Sequence, residues 1–223
     1  MINFFLLITI SYVIGSIPTS IIVTKFLKAE DIRKFGSGNA GGTNVLRMLG
    51  WKIGLAVILF DLFKGVFATY FLPKIFFGNE LPFHNGTIFE DLTVMQICCG
   101  VAAVLGHIWT LFANFKGGKG VATGAGMILG LAPIEFALAL GIFILVFFCF
   151  RYVSLSSIAG AIAFPLTMYF RENVFHVDIQ GYDTRIFFAV ATAILIIYTH
   201  RENIHRLWNG TENKLTSFSG AKK

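Results

Sequence analysis

Residues 3–26 read NFFLLITISYVIGSIPTSIIVTKF and carry no charged side chain before Lys25. A run of about 20 apolar residues matches the hydrocarbon thickness of a bilayer. The segment is therefore expected to be a first membrane span, retained because no basic region precedes it and no small-x-small cleavage site follows at the right place. Residues 53–72, 93–112 and 185–199 repeat the pattern, and 135–150 and 154–170 are shorter runs parted by Arg151 and Tyr152. Between them, the Gly-rich apolar piece 121–131 stops just before Pro133, which cannot continue a helix without losing a hydrogen bond. It reads as a short seventh segment, with a re-entrant hairpin as the alternative. The expected fold is an all-α integral membrane protein, a bundle of about seven transmembrane helices, some short, with residues 1–223 forming a single polytopic membrane domain.

Composition agrees with this. Hydrophobic residues make up 56% of the chain and charged residues 13%, with a mean hydropathy of +0.74, whereas a soluble domain carries about 25% charged residues. Cys98, Cys99 and Cys149 sit in apolar runs without Cys-x-x-Cys spacing, so packing rather than a disulfide or metal framework is expected of them.

Seven segments divide the basic residues unevenly. One side receives Lys25, Lys28, Arg33, Lys34, Arg47, Lys52, Lys116, Lys119, Arg151, Arg201, Arg206, Lys214, Lys222 and Lys223, and the other only Lys74, Arg171 and Arg185. Cytoplasmic loops are enriched in Lys and Arg, so the N-terminus is expected outside and the C-terminus in the cytoplasm. The net charge of +6 then follows from topology and from attraction to anionic lipid. No basic stripe interleaved with aromatics suggests a nucleic-acid partner.

Under this topology four polar segments reach the same face. Residues 35–47, FGSGNAGGTNVLR, combine four glycines with Ser37, Asn39, Thr43, Asn44 and Arg47. Backbone N–H groups gathered in this way, those of Gly36 and Gly38 among them, can wrap an anion, with Arg47 a bidentate partner; a plain flexible loop is the alternative. Residues 115–123, FKGGKGVAT, place Lys116, Gly117, Gly118, Lys119 and Gly120 at the start of an apolar helix, where free amides and the dipole favour an anion. Gly120 stands where a nucleotide P-loop has Ser or Thr. Residues 152–157, YVSLSS, offer Ser154, Ser156 and Ser157 at the start of a span; Ser154 can cap the helix or meet a ligand. Residues 200–214, HRENIHRLWNGTENK, set His200 and Asn203 on one helical face.

Inside the spans, Asp61 and Lys64 stand three residues apart and can pair, and His107 lies near the end of its span. The chain has no His-x-x-x-x-Asp dyad and no acidic cluster to hold magnesium, which disfavours a CDP-alcohol phosphotransferase. No metal and no cofactor is expected. A membrane transporter of a phosphorylated small molecule is the alternative from another class, although no internal repeat is evident.

These ordered segments, together with GSIPTS at 15–20, DLFKG at 61–65 and GH at 106–107, resemble the acyl-phosphate:glycerol-3-phosphate acyltransferases of bacterial phospholipid synthesis over nearly the whole chain. Gly42 stands where the family usually has Ala, and Thr110 where Pro is usual. The resemblance implies transfer of a fatty acyl group from acyl phosphate to the 1-hydroxyl of glycerol 3-phosphate, giving lysophosphatidic acid and phosphate in the first step of phospholipid synthesis. It implies a monomer in the bacterial plasma (inner) membrane, with the site on the cytoplasmic face. Ser37, Arg47, His200 and Asn203 are then the expected catalytic residues. Gly36, Gly38, Asn39, Thr43, Asn44, Lys116, Gly117, Gly118, Lys119, Gly120, Ser154, Ser156 and Ser157 are the expected substrate-binding residues.

Overall fold

The computed structural model describes residues 2–78, 81, 86, 89–179 and 181–215. Among them every regular element is helical. Six helical spans are long and apolar enough to cross a membrane: Asn3–Lys28, Trp51–Phe77, Asp91–Ala113, Pro133–Phe150, Val153–Asn173 and Tyr182–Thr199. The seventh segment, α7 (Val121–Leu131), has only 11 residues, about 16 Å of helix, and stops short of a full crossing.

The first span is broken rather than continuous. Helix α1 (Ile2–Gly15) ends before Pro18, and α2 (Thr19–Lys28) starts after it, because proline removes a donor and clashes with the preceding turn. A break inside hydrocarbon exposes carbonyls that need partners. On helix α4 (Trp51–Val66), Lys64 supplies them by donating to Gly15 O at 3.3 Å and Ile17 O at 2.9 Å. Asp61 balances that ammonium at 2.8 Å and accepts from Thr19 Oγ1 at 3.1 Å. This pair, ambiguous in sequence, closes the helix break. The α4 span continues through a π-helical turn, Phe67–Phe71, into α5 (Leu72–Phe77).

Glycines set how closely the spans cross, as expected where lipid offers no hydrophobic drive for association. Helix α1 meets α6 (Asp91–Ile108) at Gly15 and Gly106: a Cβ on Gly15 would stand 2.0 Å from Ala103 O, and one on Gly106 2.2 Å from Tyr12 O. Helix α4 meets α7 at Gly65 and Gly126, where added Cβ atoms would fall 2.0 Å and 1.9 Å from backbone oxygens. Helices α8 (Pro133–Phe150), α9 (Val153–Asn173) and α10 (Tyr182–Thr199) pack in sequence order beside this group. Arg171 on α9 and the buried Glu135 on α8 pair at the end opposite the four polar segments.

Cys98, Cys99 and Cys149 are free. The remaining helices, α3 (Gly42–Leu49) and α11 (Arg201–Trp208), are short and amphipathic and lie at the basic end. Arg33 ties two loops together there, donating to Ala113 O at 3.1 Å and Lys116 O at 3.3 Å. Arg33 also holds the Asp31 carboxyl down to about 2 through a direct side-chain bond.

Candidate active site

The loop before α3 is organised by one side chain. Asn44 is buried, and its amide donates to Ile32 O, Phe35 O and Asn39 O at 3.1, 2.8 and 3.1 Å, while Oδ1 accepts from Ser37 N at 3.3 Å. Gly36, at φ +55°, allows the loop to close on that amide, since a Cβ there would lie 2.4 Å from Asn44 Oδ1. The effect is to turn Ser37, Gly38, Asn39 and Thr43 toward a cavity of about 500 Å³, with Arg47 one helical turn further on. Replacing Asn44 with alanine is expected to lower stability by about 1–3 kcal/mol, because three loop carbonyls lose their donor. Thermal unfolding in detergent measures the loss.

The second segment packs tightly on the end of α6. Gly117 N donates to Ile108 O and Gly118 N to His107 O, each at 3.0 Å. A Cβ on Gly117 would stand 2.0 Å from His107 O, and one on Gly118 2.2 Å from His107 Nε2. The two glycines let the loop lie against the end of α6, and Gly120 turns it at φ +75° into α7. Lys119 is thereby delivered to the cavity, where its ammonium donates to Asn203 Oδ1. Burial, and then the nearby Arg206 cation, push Lys119 down to about 8.

The third and fourth segments meet over a carboxylate that sequence reasoning passed over. Glu212 accepts from Ser154 Oγ at 2.8 Å, from Asn203 Nδ2 at 2.7 Å and from Arg206 Nε at 2.8 Å. These donors hold its carboxyl below the usual range against the opposing effect of burial. The chain beyond α11 returns across the basic end, with Arg47 Nη2 donating to Asn213 O at 3.3 Å and Leu215 N to Arg151 O at 2.9 Å. Ser154 caps no helix: Tyr152 is the N-cap of α9.

His200 sits between α10 and α11, buried, with Nδ1 2.8 Å from Ile196 O. A carbonyl only accepts, so Nδ1 carries the proton and Nε2 keeps its lone pair. Burial pushes this imidazole down to about 4, leaving it neutral at neutral pH. Arg47 is lowered by burial and by Arg206, with Glu212 opposing, and remains a cation.

The cavity wall includes Ser37, Gly38, Asn39, Thr43, Arg47, Lys119, Ser154, Ser157, His200 and Asn203. Gly36, Asn44, Lys116, Gly117, Gly118, Gly120 and Ser156 lie outside that wall. Lys116 is exposed, and Ser156 Oγ donates to Tyr152 O at 2.8 Å within its own helix. Asp61, His107, Arg206 and Glu212 line the cavity without having been singled out as site residues. His107 Nδ1 lies 3.8 Å from Asp61 Oδ1. The charge of Asp61 inside a span was the signal available in sequence; nothing local marks Glu212.

Away from this polar end the same cavity becomes apolar, passing between α4, α7, α8 and α9 along Leu62, Ala125, Ile128, Leu140, Ala161 and Phe164.

The family model for glycerol-3-phosphate acyltransferase matches residues 5–210. The chain belongs to the glycerol-3-phosphate acyltransferase family. A family member from Chlorobaculum tepidum is 47% identical, covering 97% of this chain and 98% of its own. Another from Chlorobium luteolum is 46% identical over 94% and 95% of the two chains. The crystal structure of PlsY (YgiH), an integral membrane glycerol 3-phosphate acyltransferase, in its glycerol 3-phosphate form, superposes with a TM-score of 0.76 at 34% identity, covering 95% of both chains. Its lysophosphatidic acid form gives 0.74 at 33% identity. The family match spans the first three polar segments and the fourth as far as residue 210. Thr110 gives its hydroxyl to Ser16 O, and Gly42 packs against Ile58 and Gly54 O where α3 crosses α4.

Proposed function

We propose that the protein transfers a fatty acyl group from acyl phosphate to the 1-hydroxyl of glycerol 3-phosphate, releasing lysophosphatidic acid and inorganic phosphate. One observation carries this reading: a single cavity joins an end built from Ser37, Arg47, Lys119, His200, Asn203 and Arg206 to a long apolar cleft. Both substrates are phosphate anions and one of them trails an acyl chain, so a site at the bilayer edge serves both. The family's name and the glycerol 3-phosphate and lysophosphatidic acid forms of PlsY support the acceptor and the product. The basic loops gathered at the polar end support a cytoplasmic placement in a bacterial plasma membrane.

In the proposed reaction the glycerol hydroxyl oxygen attacks the acyl carbonyl, the carbon–oxygen bond to phosphate breaks, and phosphate leaves. An acyl phosphate is a mixed anhydride, so no enzyme nucleophile is required; positioning and charge stabilisation supply the rate. Arg47 and Lys119 hold phosphate oxygens, and Ser37 and Asn203 orient phosphate and carbonyl groups. His200 Nε2, lacking a proton, accepts a hydrogen bond from the attacking hydroxyl and orients it. Breaking the carbonyl carbon–oxygen bond of an acyl phosphate dianion expels the phosphate trianion, a far stronger base than an imidazole held near 4 by burial, so the proton of the attacking hydroxyl comes to rest on the departing phosphate. His200→Ala is expected to lower kcat by roughly a hundredfold or more.

The basic limb of the pH profile belongs to Lys119. Its ammonium is charged below about 8 and neutral above, so kcat/KM for glycerol 3-phosphate is expected to fall as pH rises through that value. Lys119→Arg, with a cation that keeps its charge, should remove the limb. A limb that persists in this variant would assign it to another group.

A further inference from the structure

We infer that Asp61 and His107 form the subsite that takes the 2-hydroxyl of glycerol 3-phosphate and so select the acceptor by that hydroxyl and by its handedness. The inference rests on the acyl-phosphate reading above and adds how the acceptor is told from its analogues.

Three observations carry it. First, both side chains line the cavity, although Asp61 is only 2% and His107 only 8% exposed. Second, both keep unused hydrogen-bonding capacity. Among the described residues, Lys64 Nζ at 2.8 Å and Thr19 Oγ1 at 3.1 Å both meet Asp61 Oδ1, and Oδ2 accepts nothing. The His107 ring has no hydrogen bond among them, because Nδ1 lies 3.8 Å from Asp61 Oδ1, beyond bonding range. Buried polar groups are almost always paired, so this corner of the wall is built for a partner. Third, the sign of the charge selects that partner. A carboxylate repels phosphate, whose counter-charges Arg47, Lys119 and Arg206 come from other segments of the wall. An acyl carbonyl only accepts and gains nothing from a carboxylate. Of the other carboxylates on the wall, Glu212 is taken up by Ser154, Asn203 and Arg206, and Glu202 is exposed.

What fits is a neutral donor, and the substrates bring two, the hydroxyls of glycerol 3-phosphate. The reacting one belongs to His200. A hydroxyl oxygen about 2.8 Å from each group spans the 3.8 Å between Nδ1 and the carboxylate: it donates to Asp61 and accepts from the ring N–H that the carboxylate favours on Nδ1. With the phosphate on Arg47 and Lys119 and the 1-hydroxyl on His200, the 2-hydroxyl is the third point of attachment. The mirror-image glycerol phosphate, held at the first two points, turns its 2-hydroxyl away from this corner.

The test compares kcat/KM for three acceptors with palmitoyl phosphate as donor: sn-glycerol 3-phosphate, its enantiomer sn-glycerol 1-phosphate, and 3-hydroxypropyl phosphate, which lacks the 2-hydroxyl. The wild-type protein is expected to prefer the first over each of the others by roughly thirtyfold or more, the range of a hydrogen bond to a charged group. His107→Phe, which keeps a ring without its nitrogens, should cut both preferences by roughly tenfold, and His107→Ala should do the same, so that one variant failing to fold does not decide the matter. Each preference is a ratio within one preparation; a merely structural role for His107, or a corner that holds only water, leaves it unmoved. Wild-type protein that uses 3-hydroxypropyl phosphate as well as glycerol 3-phosphate, or His107 variants that keep the full preferences, would overturn the subsite. Wild-type protein that acylates none of the three from palmitoyl phosphate would instead overturn the acyl-phosphate reading on which it rests.

Discussion

Gly117→Ala protein is expected to lose at least about 99% of its acyltransferase activity, with a lowered unfolding temperature. The added methyl would stand 2.0 Å from the backbone oxygen of His107, and a backbone atom cannot rotate away as the tip of a side chain can. The loop must therefore lift from α6, breaking the bonds from Gly117 N to Ile108 O and from Gly118 N to His107 O. Lys119, two residues on, leaves its place against Asn203, and a displacement of about 1 Å in such a site already costs roughly a hundredfold in rate. Gly141→Ala is the matched control: a Cβ at that lipid-facing position meets nothing within 4 Å. Rates and melting temperatures of the two variants, measured side by side, separate a local steric cause from a general intolerance of the fold.

The second large effect is expected at Arg47. Arg47→Ala should lower kcat/KM for glycerol 3-phosphate by about two to three orders of magnitude, the range found when one charge-stabilising donor is removed from an active site. Among the described residues its one hydrogen bond is to Asn213 O, which leaves most of its donors available to the cavity that it lines. Arg47→Lys should recover little of the loss, because an ammonium cannot reproduce the planar two-point grip of a guanidinium on phosphate. The unfolding temperature should barely move, since the side chain is anchored by a single backbone carbonyl. A large drop in stability with intact kcat/KM would show that Arg47 holds the C-terminal strap rather than substrate.

Sequence made the spans legible because lipid imposes a long apolar period that local composition alone must satisfy. The break at Pro18 and the short α7 were less visible: both lie in apolar runs, and what completes them is elsewhere in the chain. Lys64 is remote in sequence from the Gly15 and Ile17 carbonyls it serves. In the polar segments, residue type was a good guide to which loops converge and a poorer one to what each side chain does there. Asn44 looks like a ligand because Asn is polar and lies in a Gly-rich loop, yet its amide is used by the loop itself. Gly117 and Gly118 look like an anion nest, but their amides face carbonyls of α6. Glu212 was missed for the opposite reason. A carboxylate seems out of place among anion-binding groups until Ser154, Asn203 and Arg206 are seen converging on it. By holding Asn203 and Arg206 in place, it positions the donors that face the cavity.

The most direct test is release of inorganic phosphate by the purified protein in detergent, given palmitoyl phosphate with and without glycerol 3-phosphate, and acyl-CoA as a separate donor. The account predicts phosphate release only when acyl phosphate, acceptor and protein are all present, with lysophosphatidic acid formed in equal amount and no turnover of acyl-CoA. Folded protein that releases phosphate without the acceptor, or that acylates glycerol 3-phosphate from acyl-CoA alone, would contradict it.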